Sequence, residues 1–253
     1  YFHGLGDDEA VKLLADYAIK RHYPHAENTE QPYLTLLEGV IQNTAELISS
    51  WMLIGFIHGV MNTDNTSISG ETIDYGPCAF MDGFKPNKTF SSIDSGGRYA
   101  YDHQPMIGQW NLTRFAETLL KLIDKDQTNS IEIAKRSLEH FWRYFEKAFH
   151  NGLCKKIGLS GLDKEGTKLA FDFLDLLAKS EVDFTISYRA LGDHLEQGNN
   201  KNFIKLFDDT ADIEKWLTRW NENLSNEGKG IEEVRKQMKM VNPAFIPRNH
   251  QIE

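Results

Sequence analysis

Apolar residues recur at spacings of three and four over residues 8–23, with Val11, Leu14, Ala15, Ala18 and Ile19 on one face. This pattern predicts an amphipathic helix stopped by Pro24. A polar loop follows, and then a longer helix carrying Leu34, Leu37, Ile41, Ala45, Ile48 and Met52 as far as Gly55. Over residues 56–97 the helical period disappears, and Gly, Asn, Asp, Ser and Thr dominate. Within that segment Thr66–Ser69 and Thr72–Asp74 flank a Gly70-Glu71 turn, which predicts a short hairpin. Helical periodicity returns over 109–123 (Trp110, Phe115, Leu119), 131–149 (Ile131, Ala134, Leu138, Phe141, Phe145, Phe149) and 167–179 (Leu169, Phe173, Leu176, Leu177). Two further helices are expected at about 200–223 and 231–240, with glycine-bearing loops at 151–166 and 224–230. The expected fold is mainly α with a short β-hairpin, and no internal repeat is present. A long polar segment interrupting a helical domain is usually functional.

Composition narrows the classes. The 253 residues are 40% hydrophobic and 26% charged, with a mean hydropathy of −0.48, enough for one large or two small globular domains. Lys and Arg number 28 against 37 Asp and Glu, a net charge of −9 that argues against a general polyanion-binding surface. Cys78 and Cys154 are far apart, which excludes a disulfide scaffold and a cysteine-rich zinc site. The longest apolar stretch, Trp51 to Ile57, is far short of the ~20 residues that cross a bilayer. No signal peptide is evident, and the start at Tyr1 rather than Met leaves a targeting segment upstream open.

The chemistry concentrates in the polar segment. Asp64 and Asn65 precede the predicted hairpin and Asp74 ends it, so Asn65 and Asp74 are expected to face one another across its open end. A carboxylate and an amide oxygen are hard ligands, suited to Mg²⁺ held jointly with phosphate oxygens. His-Gly-x-x-x-x-Asp-Asn followed by Asp-Tyr-Gly resembles the kinase catalytic loop and its metal-binding Asp-Phe-Gly. In that alignment His58 and Asn65 match, but the catalytic aspartate falls at Val60, which can carry no proton. Asp64 is the nearest replacement. Plainer readings stand beside these. An Asp-Asn pair often only caps a turn, His58 reads as a buried hydrogen-bonding residue, Cys78 as a small core residue, and His22/His25 as a solvated helix end. Trp216 and Trp220 read as core. Phosphate-loop, dinucleotide, zinc-protease and serine-hydrolase motifs are missing, and no basic–aromatic alternation suggests a nucleic-acid platform.

The run GFIHGVMNTDNTSISGETIDYGPCAFMD, with GRYAYDHQPMIGQWNLTRFAETL after it, closely resembles the selenoprotein O family, kinase-fold proteins known as protein adenylyltransferases. The resemblance is ungapped from Gly55 to about Leu119, resumes in LADYAIKRHYP and VNPAFIPRNHQIE, and is looser between about 125 and 240. It implies that residues 1–253 form the C-lobe half of a kinase-like fold, with the catalytic and metal loop at 56–97 and a helical remainder at 98–253. It implies Asp64 as catalytic base, Asn65 and Asp74 as ligands of Mg²⁺ (Mn²⁺ as the alternative), and Asp74 as an ATP contact. Such enzymes bind ATP flipped, with the α-phosphate facing the acceptor, and leave AMP on a protein Ser, Thr or Tyr while pyrophosphate departs. The implied partners are ATP, acceptor proteins and an N-lobe of the same protein, with neither nucleic acid nor membrane.

The family's glycine-rich strands, phosphate-binding lysine, partner glutamate and triphosphate-holding arginines lie upstream of the matching segment. The chain by itself is therefore expected to transfer no AMP and to present a partly apolar surface near residues 55–80. No Cys stands near Glu253, so the redox motif of some eukaryotic members is not supported. The implied compartment is cytoplasmic for a bacterial member and mitochondrial for a eukaryotic one. Two rivals keep the nucleotide: γ-phosphoryl transfer, and a non-catalytic nucleotide-binding scaffold.

Overall fold

The computed structural model describes residues 1–161, 163–197 and 201–249. It is mainly helical, with one two-stranded antiparallel sheet among the described residues. The chain divides into two compact units, Tyr1–Ile48 with Met61–Tyr75 and Gln104–Glu146, and Ser49–Val60 with Gly76–His103 and Lys147–Glu253.

In the first unit, α1 (Asp8–His22) opens with Asp7 accepting the Ala10 N–H at 3.0 Å. Asp8 and Glu9 lie in its first turn and Lys20, Arg21 and His22 in its last, each sign complementing the helix dipole. Ala15, Ala18 and Ile19 are buried as the periodicity predicts, but Leu14 is 58% exposed, as are its neighbours Leu13 and Tyr17 in similar measure. The small residues let α1 sit close to its neighbours and leave the larger ones outside. The second helix, α2 (Pro32–Leu53), buries Leu37, Ile41, Ala45, Ile48 and Met52 as expected. α3 (Gln104–Ile123) begins before the predicted 109, because Pro105 in its first turn loses no helical bond. Its Trp110, expected inside, is 44% exposed.

α4 (Gln127–Lys156) runs through residues 151–156, where a loop is predicted from Asn151 and Gly152. Gly152 is there for packing: a Cβ on it would come 2.1 Å from Leu53 Cδ1.

The second unit holds β1 (Phe56–Ile57) and β2 (Ala79–Phe80), with Phe56 opposite Phe80 and Ile57 opposite Ala79. The hairpin predicted at 66–74 does not form: no strand lies there, and the pairing strands stand at 56–57 and 79–80. α5 (Lys164–Lys179) starts from an Asp163 cap that accepts the Gly166 N–H at 2.6 Å. α6 (Phe184–Gln197) was not anticipated: Thr185, Ile186 and Gly192 weaken its helix propensity, and burial of Phe184, Tyr188 and Leu191 supplies the stability. The helix expected over 200–223 divides into α7 (Lys201–Ile204) and α8 (Thr210–Glu227), the Asp209 cap marking the restart. Residue 200 of that expectation, and Leu162 of the expected 151–166 loop, lie outside the described residues. α9 (Ile231–Val241) agrees closely with its expected range.

Trp216 and Trp220 are core, as read from their spacing. Their rings stack at 5.5 Å, and each indole N–H finds a carbonyl, Leu169 O at 2.9 Å and Ile157 O at 2.7 Å. Arg248, in the motif VNPAFIPRNHQIE, bonds Asp82 and reaches Asp183 at 2.6 Å, while His250–Glu253 of that motif lie outside the described residues. Near residues 55–80 the exposed apolar side chains are Ile73 and Tyr75, whereas Phe56 and Ile57 are buried. Among the described residues no helix is long and apolar enough to cross a membrane.

Candidate functional site

Asp64, Asn65 and Asp74 all fall on the Met61–Tyr75 segment of the first unit. Asp64 and Asn65 occupy a single 3₁₀ turn, Thr63–Asn65, entered from an extended Asn62. The Asn65 N–H closes this turn on Asn62 O at 3.0 Å, and Thr66 Oγ1 donates to the same carbonyl at 3.2 Å. Asp64 and Asp74 are exposed and Asn65 is half-buried.

Side chains, rather than a ladder, hold the segment. From α3, Asn111 Nδ2 donates to Met61 O at 3.0 Å and to Thr66 Oγ1 at 3.1 Å. Further along, Tyr23 OH donates to Ile68 O at 2.5 Å and receives a bond from Asn43 Nδ2 at 3.1 Å. Tyr23 is buried, which pushes its phenol up to about 12 and keeps it a donor at any physiological pH. Between them, Ser67 and Ser69 form a local turn: the Ser69 N–H donates to Ser67 Oγ at 3.2 Å, and Ser69 Oγ donates to Glu71 at 2.7 Å. Gly70 has φ +77, and a Cβ there would lie 2.7 Å from Asn43 Cβ, so the chain passes α2 closely enough to exclude a side chain.

Asp74 also adopts a left-handed backbone, φ +56, one of two non-glycine residues among those described to do so. Asp tolerates this conformation better than most residues, yet it is uncommon and concentrates at functional sites.

The hairpin expected to set Asn65 opposite Asp74 is not formed, so their facing one another does not follow from strand pairing. By residue type alone, two carboxylates and an amide oxygen suit a hard divalent cation. Among the described residues no group of three or more His, Cys, Asp or Glu is gathered into a metal cage. A cation here would thus need the Asn65 amide and oxygen atoms from a bound ligand, which is how Mg²⁺ is usually held beside phosphates.

The plainer readings hold in part, since Cys78, read as core, is not fully buried. His58 is buried, its ring 5.4 Å from that of Trp51 and 6.4 Å from that of Phe56. Cys78 is half-buried, and burial pushes its thiol up, away from the reactive thiolate. His22 and His25 are exposed. Sequence reasoning missed Asn111, Tyr23 and Asn43 as supports of the segment. A signal did exist for Asn111: it is a polar residue on the buried face of α3, between Ile107 and Phe115 at four-residue spacing.

Comparison with known proteins places the chain. The family model described as "Protein adenylyltransferase SelO" matches residues 1–253. The "Protein nucleotidyltransferase YdiU" of Rhodopseudomonas palustris (strain HaA2) is 50% identical over 254 residues, covering 100% of this chain and 52% of that protein. Proteins of the same name from Bradyrhizobium sp. (strain BTAi1 / ATCC BAA-1182) and Agrobacterium fabrum (strain C58 / ATCC 33970) are 49% and 48% identical over 253 residues, with the same coverage. The chain spans about half the length of these curated relatives. With every residue matched by the family model, the chain belongs to the protein adenylyltransferase SelO family.

Proposed function

We propose that this chain is the C-lobe half of a kinase-like protein nucleotidyltransferase, and that the intact protein transfers AMP from ATP to Ser, Thr or Tyr hydroxyls of acceptor proteins. The observation that carries the reading is the strained Asp74 backbone on the same side-chain-pinned segment as Asp64 and Asn65. Family membership supports the reaction class.

Asp64 takes the proton of the acceptor hydroxyl as its oxygen bonds to the α-phosphorus, and the bond from that phosphorus to the pyrophosphate oxygen breaks. General-base help of this kind contributes roughly 10²–10⁴-fold. Asn65 and Asp74 would hold Mg²⁺ or Mn²⁺, with Asp74 also contacting ATP. Such an ion, when bound, offsets negative charge on the phosphates. Val60 fits this assignment, since attack on a different phosphate does not need a base where a kinase keeps one. Upstream groups that hold the triphosphate belong to the other half of the protein, so the 253-residue chain alone is expected to be silent.

The test is a pair of variants in the intact protein. Asp64→Ala should retain ATP binding and lose transfer, because a base acts on the transition state. Asp74→Ala should weaken metal-dependent ATP binding as well. The mass added to an acceptor should be that of AMP. A phosphate adduct would replace this reading with γ-phosphoryl transfer, and nucleotide binding with no adduct would replace it with a scaffold.

A further inference from the structure

The 3₁₀ turn that carries Asp64 and Asn65 is bonded on both flanks by one residue of α3. Asn111 is 6% exposed. Its Nδ2 reaches Met61 O and Thr66 Oγ1, the residues that bracket Asn62–Asn65 on either side. Thr66 passes the restraint on through its own bond to Asn62 O, the carbonyl on which Asn65 N–H closes the turn. One amide group therefore fixes both ends of the turn. Asn111 Oδ1 is buried and receives no hydrogen bond from the described residues. Buried acceptors left in that state are uncommon, and an aliphatic residue on this face of α3 would avoid one. Asn111 also lines a cavity of about 310 Å³ together with Thr44, Thr63, Thr66 and Ser67.

We propose that Asn111 is a positioning residue for the candidate site: it holds Met61 and Thr66 so that the Asp64 carboxylate and the Asn65 amide are presented at a fixed angle. The inference rests on the metal and base roles given to Asn65 and Asp64 above. Residues that orient metal ligands from behind typically change metal affinity or activity by about 10–100-fold when removed.

The experiment compares the intact wild-type protein with Asn111→Ala and Thr66→Val. Three quantities are measured: Mn²⁺ affinity in the presence of ATP by electron paramagnetic resonance, hydrogen exchange of the Asn65 N–H without metal, and kcat and acceptor KM for AMP transfer. Asn111→Ala should weaken Mn²⁺ about tenfold, speed exchange at Asn65, and lower kcat while leaving the acceptor KM unchanged. Thr66→Val, which removes one link, should move the same quantities less. A role confined to folding would reduce the amount of active protein while Mn²⁺ affinity and Asn65 exchange in the folded fraction stayed at wild-type values, and that result overturns the inference. Should Asn111→Ala fail to fold, wild-type Mn²⁺ affinity in Thr66→Val overturns it equally. A wild-type protein that binds Mn²⁺ with ATP but transfers no AMP refutes the proposed reaction, and the Mn²⁺ comparison still decides the role of Asn111. Absence of Mn²⁺ binding in the wild type overturns both.

Discussion

The segment Met61–Tyr75 and the helices α5, α6, α8 and α9 are ordered by different means. The helices bury large side chains: Phe173 lies against Trp216 at 4.7 Å and Tyr188 at 5.2 Å, and Phe184 against Tyr188 at 5.3 Å. Each such residue contributes roughly 1.5–3 kcal/mol of burial, and no single hydrogen bond decides the arrangement. The site segment buries little. Met61 is its one fully buried side chain, and side-chain bonds hold the segment from Asn111 and from Tyr23, whose hydroxyl Asn43 in turn supports. A packed core tolerates loss of a polar contact, whereas a segment held by individual bonds loses its geometry with them. Such a segment can also keep its carboxylates exposed, as the proposed roles of Asp64 and Asp74 require.

The sharpest contrast comes from the chemistry itself. Asp64→Ala should lower transfer by roughly 10²–10⁴-fold, and, because the side chain is exposed, should leave the thermal midpoint within a degree or two of wild type. In the helical region the order reverses. Trp220→Ala empties a fully buried site and removes the bond to Ile157 O, and should cost about 3–5 kcal/mol in denaturant unfolding.

Smaller effects should appear where the site segment meets its supports. Gly70→Ala forces a Cβ into the left-handed region and against Asn43, and should destabilise by about 1–2 kcal/mol. Tyr23→Phe deletes the donor to Ile68 O and should cost about 1 kcal/mol, with hydrogen exchange quickening over residues 66–70 and not over 164–179. Uniform acceleration across both stretches would erase the distinction between the two kinds of order.

Helical periodicity made most helices legible, because burial of one face dictates both the pattern and the structure. α6 escaped although Phe184, Tyr188 and Leu191 keep helical spacing, since Thr185, Ile186 and Gly192 lower local propensity and only packing restores it. The Gly70-Glu71 turn between Thr66–Ser69 and Thr72–Asp74 predicts a hairpin that does not form, because the hydroxyls there bond locally, Ser67 to Ser69 and Ser69 to Glu71. Asp64, Asn65 and Asp74 were legible as a motif. The left-handed backbone of Asp74 was not, because no residue type encodes it uniquely. Asn111 was legible as a polar residue on the buried face of α3, but what it holds is known only from its acceptors at Met61 and Thr66.

A pH-dependent effect is expected from Lys156, a charged group inside the well-packed region. Its Nζ donates to Asn242 at 2.8 Å and lies 3.9 Å from the centre of the Tyr188 ring. Burial lowers its ammonium to about 7, while the Asn242 oxygen and the Tyr188 face oppose that fall. Between the folded value near 7 and the ordinary value of 10.5 the unfolded chain binds the extra proton, so stability should rise with pH over that window and be lost as pH falls through 7. The slope should not exceed about 1.4 kcal/mol per pH unit. Lys156→Met should flatten it in urea unfolding between pH 7 and about 9, and an unchanged slope would assign the pH dependence elsewhere.

The central claim is that Asp64, Asn65 and Asp74 serve attack on the α-phosphate. It is tested most directly by incubating the intact protein and an acceptor protein with ATP labelled on the α-phosphate or, separately, on the γ-phosphate, then counting label fixed to protein. The account predicts α-label incorporation that requires a divalent cation and is abolished in Asp64→Ala, with no γ-label fixed. Incorporation of γ-label, or α-label incorporation that survives Asp64→Ala at the wild-type rate, would contradict it.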